Sequence, residues 1–446
     1  MNREEKSKRQ DVKTDRLDRG AGGITRRVAL IVFLVALAAR AGWGTHRLIR
    51  APDASALEFP DEQQYWSSAV GLWNGQGLRD ELGFRATRMP LYPSVLAPFT
   101  AYPHGVITAK AVHWLIGAAA AAFTAALATT LFDRRVGVLA GALVALDPFL
   151  VFSSSLLLTE TPYLCVAIAL WWLLAAAIRS DRVPLRRWLL IGVLGASCVY
   201  LRESSLGLYL AGLAFVVCCR RFEPRSTGGV AAAAVFMVAS LVPWAVRNRQ
   251  ITGEWRWLTT RAGISLYDGV GPTATGSSDL GDIKQMPAVR SLTETEWNRY
   301  FLDESVRAIR GDPVRVVRLA GVKLARTWNP MPNVDAYQSR FVRFVSAAWT
   351  MPTFALALLG TILLPIGHGY AGARWAMFLL LPAFYLSLVH SLFVGSVRYR
   401  LGAIPMLEVL AAFACITLFD SLRRRGKTLL RPPSLKGDVS EAVRGE

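Results

Sequence analysis

Apolar residues along this chain come in runs of bilayer-crossing length, broken by short polar turns. About 20 apolar residues cover the hydrocarbon layer, and ten segments approach that length: residues 28–46, 106–132, 136–153, 156–178, 188–203, 205–219, 230–246, 343–366, 375–395 and 400–419. The pattern predicts an all-α polytopic membrane protein of about ten transmembrane helices, with nine to twelve as the range because several runs are short or closely coupled, notably around Leu201–Ser205. No small-residue cleavage site follows the first run and more spans come after it, so it reads as a retained span rather than a signal peptide.

Two long intervals, residues 47–105 and 247–342, separate the runs and are where chemistry is expected. The first is rich in Gly, Pro and Trp. The second holds the polar stretch GVGPTATGSSDLGD, then Thr293 followed by Glu296 in capping-box spacing, with Trp297, Tyr300, Phe301 and Ile309 close to one helical face. Asp312 and Pro313 read as the start of a further helix, RVVRLAGVKLARTW, both basic and apolar, of the kind that lies in a headgroup layer. No repeat of fixed period breaks the series, so residues 28–419 form one membrane domain. The charge-dense residues 1–27 are expected as a disordered tail and 420–446 as a basic tail.

Composition sharpens this reading. Hydrophobic residues make up 53% of the 446 positions, yet the formal charge is +19, and the Lys and Arg flank apolar runs instead of covering a soluble surface. That excludes nucleic acid as the partner in favour of membrane lipid. The clusters Arg26–Arg27, Arg134–Arg135, Arg179–Arg187, Arg220–Arg221 and Arg423–Arg425 fall on one side if ten spans are counted, so both termini are expected in the cytoplasm and both long loops outside. The weakly charged turn HGYAGAR at 368–374 departs from that rule. Five cysteines lie in or beside apolar runs, and five scattered histidines offer no i, i+4 pair, so no disulfide framework and no metal site is expected.

The charged groups that remain gather on the outer side. Asp61, Glu62, Arg79, Asp80, Arg85 and Arg88 lie in the first loop, Glu160 in the second outer turn, Arg202 and Glu203 in the third, Arg247 at the outer end of the seventh span, and Arg398 and Arg400 at the last. Charge at membrane depth is costly, so such placement is informative. Arginine donates a planar pair of hydrogen bonds to phosphate and stays charged in low dielectric, while a carboxylate can deprotonate an attacking hydroxyl. Transfer of a sugar from a polyprenyl-phosphate donor needs both. A transporter or lipid flippase would instead place ionisable groups near the midplane, where only Glu408 fits. A ligase or polymerase moving lipid-linked oligosaccharide would share the outer arginines.

The stretches PDEQQYWSSAVGLWNGQGL, RMPLYPSVLAPF, LDPFLVFSSSLLLTETPY, YLRESSLGLYL, VPWAVRNRQITGEW and SVRYRLGAIPMLEVLAA, in that order over residues 28–420, resemble the GT-C superfamily of membrane glycosyltransferases. The chain is similar to the bacterial, polyprenyl-phosphate-sugar-dependent branch that includes protein O-mannosyltransferases and lipid A aminoarabinose transferases. The resemblance implies an inverting glycosyltransferase of the bacterial plasma membrane that uses no cofactor. Its donor would be a polyprenyl-phosphate hexose or pentose and its acceptor a glycan, lipid or protein hydroxyl. It implies Asp61 as the base, with Glu62 and Glu160 as further acidic site residues. Arg88, Arg398, Arg400, Arg247 and Arg202 are implied as contacts to the donor phosphate.

Overall fold

A computed structural model describes residues 3–281, 286, 289 and 291–429, with side chains from Arg26 to Arg424 within them. It contains sixteen α-helices and, among the described residues, no strand. Most of each of the ten expected apolar segments lies in helix. Among the described residues, six helices are long and apolar enough to cross a membrane.

The first, α1 (Arg3–Arg50), has Arg26–Arg50 as its apolar part. Val28, Val32, Ala36 and Arg40 are buried at four-residue spacing, whereas Leu30, Ile31 and Leu34 are exposed. A helix that buries one stripe and still exposes large apolar groups elsewhere is built for lipid. After it come α2 (Pro60–Trp73) and α3 (Leu91–Leu96) in the first long loop, then α4 (Gly105–Leu131). α4 buries Ala118, Ala120, Ala121, Ala125, Ala126 and Ala128, small side chains that let neighbouring backbones approach closely.

The segment expected as one span at 136–153 is two helices, α5 (Arg134–Leu146) and α6 (Pro148–Ser153). Pro148 disfavours helical backbone at Asp147, whose side chain instead caps α6 by accepting from the Leu150 amide at 2.8 Å. The carbonyls freed at the end of α5 are met by the buried Arg40, which donates to Ala145 O at 3.0 Å and Val144 O at 3.1 Å. The break thus creates acceptors that Arg40 of α1 satisfies.

Next are α7 (Glu160–Arg179), α8 (Leu185–Leu201), α9 (Ser205–Cys219) and α10 (Pro224–Thr252). The second long loop follows, with α11 (Ala262–Val270), α12 (Glu294–Gly311) and α13 (Pro313–Thr327). The capping box at Thr293 is present, with Glu296 Oε2 accepting from the Thr293 amide at 2.9 Å. α13 begins at Pro313, as the Asp312–Pro313 pair predicts, with Asp312 accepting from Arg315 N at 2.8 Å. Trp297 and Phe301 of α12 and Ile264 and Tyr267 of α11 form a small core of their own.

Finally α14 (Arg340–Leu392), α15 (Val397–Arg400) and α16 (Ile404–Leu429) close the chain. α14 is two legs that meet at Gly369 (φ 56°, ψ −138°), inside the HGYAGAR turn. Only glycine adopts that backbone without strain. The Arg400 guanidinium lies 5.3 Å from the Phe354 ring in the first leg, and His390 at the end of the second stacks on Tyr399 at 4.1 Å, so the legs run in opposite directions. The bundle therefore has two ends. α7 runs from Glu160 at one to Arg179 at the other, and α16 carries Arg423 and Arg424 to that second end, where Asp420 pairs with Arg135 at 2.7 Å.

Candidate active site

The first long loop is held to the bundle by a carboxylate. Pro60 at the first helical position, followed by two acids, is a favourable start for α2, and Glu62 closes it by accepting from the amides of Glu58 at 2.9 Å and Phe59 at 3.0 Å. Its other oxygen accepts from the Leu157 amide at 2.7 Å, in the turn that leads to Glu160. Glu62 is fully buried, and burial, the largest influence, raises its pKa despite the three amides. It faces away from the cavity described below. Replacing Glu62 with alanine strands three amides, at about 1–3 kcal/mol each where they stay buried. A clear loss of thermal stability in detergent is expected, whereas stability equal to the parent would refute this bracing role.

Asp61, one residue earlier, points the other way, into a cavity of about 930 Å³ at the bundle end that carries both long loops. One oxygen accepts from Arg88 at 2.7 Å and the other from Arg398 at 3.2 Å. Arg398 also donates through Nε to Glu160 Oε1 at 2.8 Å, and Arg202 reaches the same oxygen at 2.9 Å. The result is an alternating row: Arg88, Asp61, Arg398, Glu160, Arg202. Glu160 is 3% exposed and sits behind the cavity wall as the anchor of two arginines. Burial works to raise the Asp61 pKa, but Arg88 and Arg398 outweigh it and hold the carboxyl well below the usual range. Burial likewise opposes charge on Arg398, and Glu160 and Asp61 more than compensate.

Arg88 is fixed further by Gln64 Oε1 at 2.6 Å and by the Tyr65 ring, 4.9 Å from its guanidinium carbon. The two long loops are clamped together beside it, because Glu294 at the start of α12 accepts from the amides of Arg85 and Ala86, each at 2.8 Å. At the next turn, Arg202 and Glu203 do not pair with each other. Glu203 accepts from the Thr259 amide at 3.0 Å instead, which draws the second loop over the cavity.

Five of the residues expected from sequence are thus brought together: Asp61, Glu160, Arg88, Arg202 and Arg398. Three expected residues are not. Glu62 braces backbone as described. Arg247 lies over the Trp244 ring and donates to Arg85 O at 3.1 Å, outside the cavity. Arg400 is 1% exposed, flanked by the rings of Phe149 and Phe354, and donates to Thr327 O and Asn329 O. Glu408, the one midplane candidate, is fully buried in α16 and does not line the cavity. One arginine missed in the sequence does line it. Arg261 stands just before α11, in a loop (LTTRAGIS) whose local pattern carries no sign of function. No group of three or more His, Cys, Asp or Glu suited to a metal ion occurs among the described residues.

Comparison with known proteins agrees with this architecture. Residues 90–246 match the family of dolichyl-phosphate-mannose-protein mannosyltransferases. A search of curated proteins gives no match. Among solved structures, the fold is similar to that of the archaeal oligosaccharyltransferase AglB from Archaeoglobus fulgidus in complex with an inhibitory peptide and a dolichol-phosphate. The TM-score is 0.54 at 13% identity, over 93% of this chain and 52% of that one. The apo form of the Archaeoglobus fulgidus oligosaccharyltransferase gives 0.55 at 13% identity, over 93% and 53%. The chain therefore spans about half the length of these solved relatives. The chain is thus similar to the mannosyltransferase family over residues 90–246 and to the two oligosaccharyltransferase structures in its fold.

Proposed function

We propose that the chain transfers a single hexose or pentose from a polyprenyl-phosphate donor to an acceptor hydroxyl on a glycan, lipid or protein, with inversion, at the extracytoplasmic face of a bacterial plasma membrane. The observation that carries this reading is the sharing of Arg398 between Asp61 and Glu160, with Arg88 on the other Asp61 oxygen, in the wall of one cavity. An ionised carboxylate stands beside arginines that can receive a phosphate. The basic clusters at the opposite end of the bundle suit a cytoplasmic face.

In this scheme the acceptor hydroxyl gives its proton to Asp61 as its oxygen bonds to the anomeric carbon. The bond from that carbon to the phosphate oxygen breaks on the opposite face, and polyprenyl phosphate leaves with the electron pair toward the arginines. The leaving phosphate needs no proton, so one carboxylate suffices, unlike glycoside hydrolysis. Glu160 acts by holding Arg398 and Arg202 in place. The family match to mannosyltransferases and the dolichol-phosphate bound by the oligosaccharyltransferase of similar fold both favour a lipid-phosphate donor.

Similarity of fold to an oligosaccharyltransferase favours a second reading, transfer of a whole lipid-linked glycan. Purified protein in lipid, supplied with a panel of polyprenyl-phosphate sugars and acceptors, distinguishes them. A mass gain of one sugar supports the proposal. Block transfer supports the second reading, and movement of lipid without covalent change refutes both.

A further inference from the structure

Between α13 and α14 runs a strap, residues 328–339, with the sequence WNPMPNVDAYQS. Pro330 and Pro332 fix their own φ and disfavour helical backbone at the residue before each. Asn329 Oδ1 accepts from the Met331 amide at 3.0 Å, which turns the chain as α13 ends. One short turn of 3-10 helix, Asp335–Tyr337, follows. None of the described residues that line the cavity belongs to the strap. Its polar groups are nevertheless tied at three points to the two segments that carry Asp61 and Arg398.

Two of the ties go to α15. Arg400 donates to Asn329 O, so the arginine expected at a phosphate holds the start of the strap instead. Asn333 Oδ1 accepts from the amide of Val397 at 2.9 Å, the residue just before Arg398. The third tie goes to the entry of α2. The Tyr337 hydroxyl donates to Glu58 Oε2 at 2.6 Å, and Arg47 of α1 pairs with the other Glu58 oxygen. Burial works to raise the Glu58 pKa, but Tyr337 and Arg47 outweigh it, and the acceptor stays ionised. The Tyr337 ring stacks on Phe59 with centres 6.4 Å apart and meets Phe152 edge-on at 4.9 Å. Phe59 stands two residues before Asp61, and its ring centre lies 6.0 Å from the guanidinium carbon of Arg398.

We propose that the strap is a spacer that fixes the distance between Asp61 and Arg398, with Tyr337 and Asn333 as positioning residues for the base. The inference rests on the transferase reading for the reaction that Asp61 serves. The contact of 3.2 Å between Asp61 and Arg398 joins a helix of the first loop to a segment near the end of the chain, so neither local backbone fixes it. The strap holds the residue before Arg398 and the residues before Asp61 at once. With the strap loosened, Arg398 keeps Glu160 at 2.8 Å and drifts from Asp61. The carboxylate then loses one of the two cations that aim it at an acceptor hydroxyl. The loss falls on turnover and not on donor affinity, because Arg88 and Arg202 keep their own partners.

The test measures initial rates of the reconstituted full-length protein with an accepted polyprenyl-phosphate sugar and its acceptor. Tyr337→Ala should lower kcat by about 10- to 100-fold, the scale of a catalytic group displaced by an ångström or less, with the donor KM unchanged. Tyr337→Phe keeps the stack on Phe59 and loses only the hydroxyl, so it should recover most of that rate. Asn333→Asp keeps an acceptor for the Val397 amide and should outperform Asn333→Ala. In the Asp61→Asn background Tyr337→Ala should add little, because the group it positions is gone, whereas a merely structural loss would multiply with it. A second readout needs no turnover: labelling of Asp61 by a water-soluble carbodiimide with glycine ethyl ester at mildly acidic pH, followed by peptide mass spectrometry. Arginine pairing keeps this carboxyl ionised and slow to react, so Tyr337→Ala should speed its labelling several-fold, and the exposed control Arg310→Gln should not. Parent-like kcat in Tyr337→Ala, a loss carried by the donor KM, a multiplicative loss in the double variant, or labelling at the parent rate overturns the proposal. Normal transfer by the parent and by Tyr337→Ala alike would remove the spacer and leave the transferase reading standing. Labelling that follows the predicted pattern in a protein without transferase activity would do the reverse.

Discussion

Replacing Asp61 with asparagine is expected to lower sugar transfer by about 10²- to 10⁴-fold, the range that a positioned general base contributes, while the protein still folds. Asparagine keeps the shape but only one acceptor oxygen, so one of Arg88 and Arg398 keeps a hydrogen bond here, while Arg398 stays anchored by Glu160. The rate should fall in kcat and not through weaker donor binding, since removing the carboxylate frees arginines to meet a phosphate. Because Arg88 and Arg398 outweigh burial and hold Asp61 well below the ordinary carboxylate range, the group stays charged as pH falls through about 4, where a free Asp would protonate. The sign follows for stability as well. A depressed folded-state pKa stabilises the folded protein above the unfolded value, and that contribution fades only as pH drops toward the folded one. Initial rates of the variant with saturating donor check the first claim. Rates equal to the parent would take Asp61 out of the mechanism.

Replacing Arg398 with alanine should have a comparable effect on rate and a larger one on stability. This side chain bridges Asp61 at 3.2 Å and Glu160 at 2.8 Å. Its loss leaves Glu160, whose side chain is 2% exposed, with Arg202 as its remaining ion pair. Breaking a buried pair by removing one partner destabilises a protein by about 3–5 kcal/mol, and losing one charge-stabilising donor lowers turnover by about 10²- to 10³-fold. Lysine at this position restores the charge but offers a single point where the guanidinium spans two carboxylates, so it should recover part of the stability and little of the rate. Thermal unfolding in detergent together with initial rates reads both effects. An alanine variant as stable and as active as the parent would show that the row of charges does not hold the site.

Much of this architecture is legible in the chain. Spans are long apolar runs, and the period and composition that lipid demands cannot be hidden, so the helices fall where the hydropathy places them. The reversal of α14 is visible in its Gly-rich turn. The exception at 136–153 turns on one Asp–Pro step whose consequence, two carbonyls freed from the helix, matters because Arg40 lies opposite. The site is legible in part for a similar reason. Charged residues are scarce beside apolar runs, so Asp61, Arg88, Glu160, Arg202 and Arg398 stand out, and they do converge.

What cannot be read locally is which of two neighbours faces the cavity. Asp61 and Glu62 are adjacent on a helix, about 100° apart around its axis, and one meets the cavity while the other meets the Leu157 amide. Arg398 and Arg400 differ in the same way, one at the site and one packed between Phe149 and Phe354. Arg261 has no local signature at all. Its position beside Arg88 depends on Glu294 reaching the amides of Arg85 and Ala86, contacts between residues more than two hundred positions apart.

The measurement that bears most directly on the central claim is the structure of the product, by mass and by proton NMR of the new glycosidic bond, after incubation of the reconstituted protein with an accepted polyprenyl-phosphate sugar and its acceptor. The predicted product carries one added sugar with anomeric configuration opposite to that in the donor, and it does not form with the Asp61→Asn variant above trace level. A product with retained configuration, a transferred oligosaccharide block, or the same yield from the Asp61→Asn variant would contradict the account.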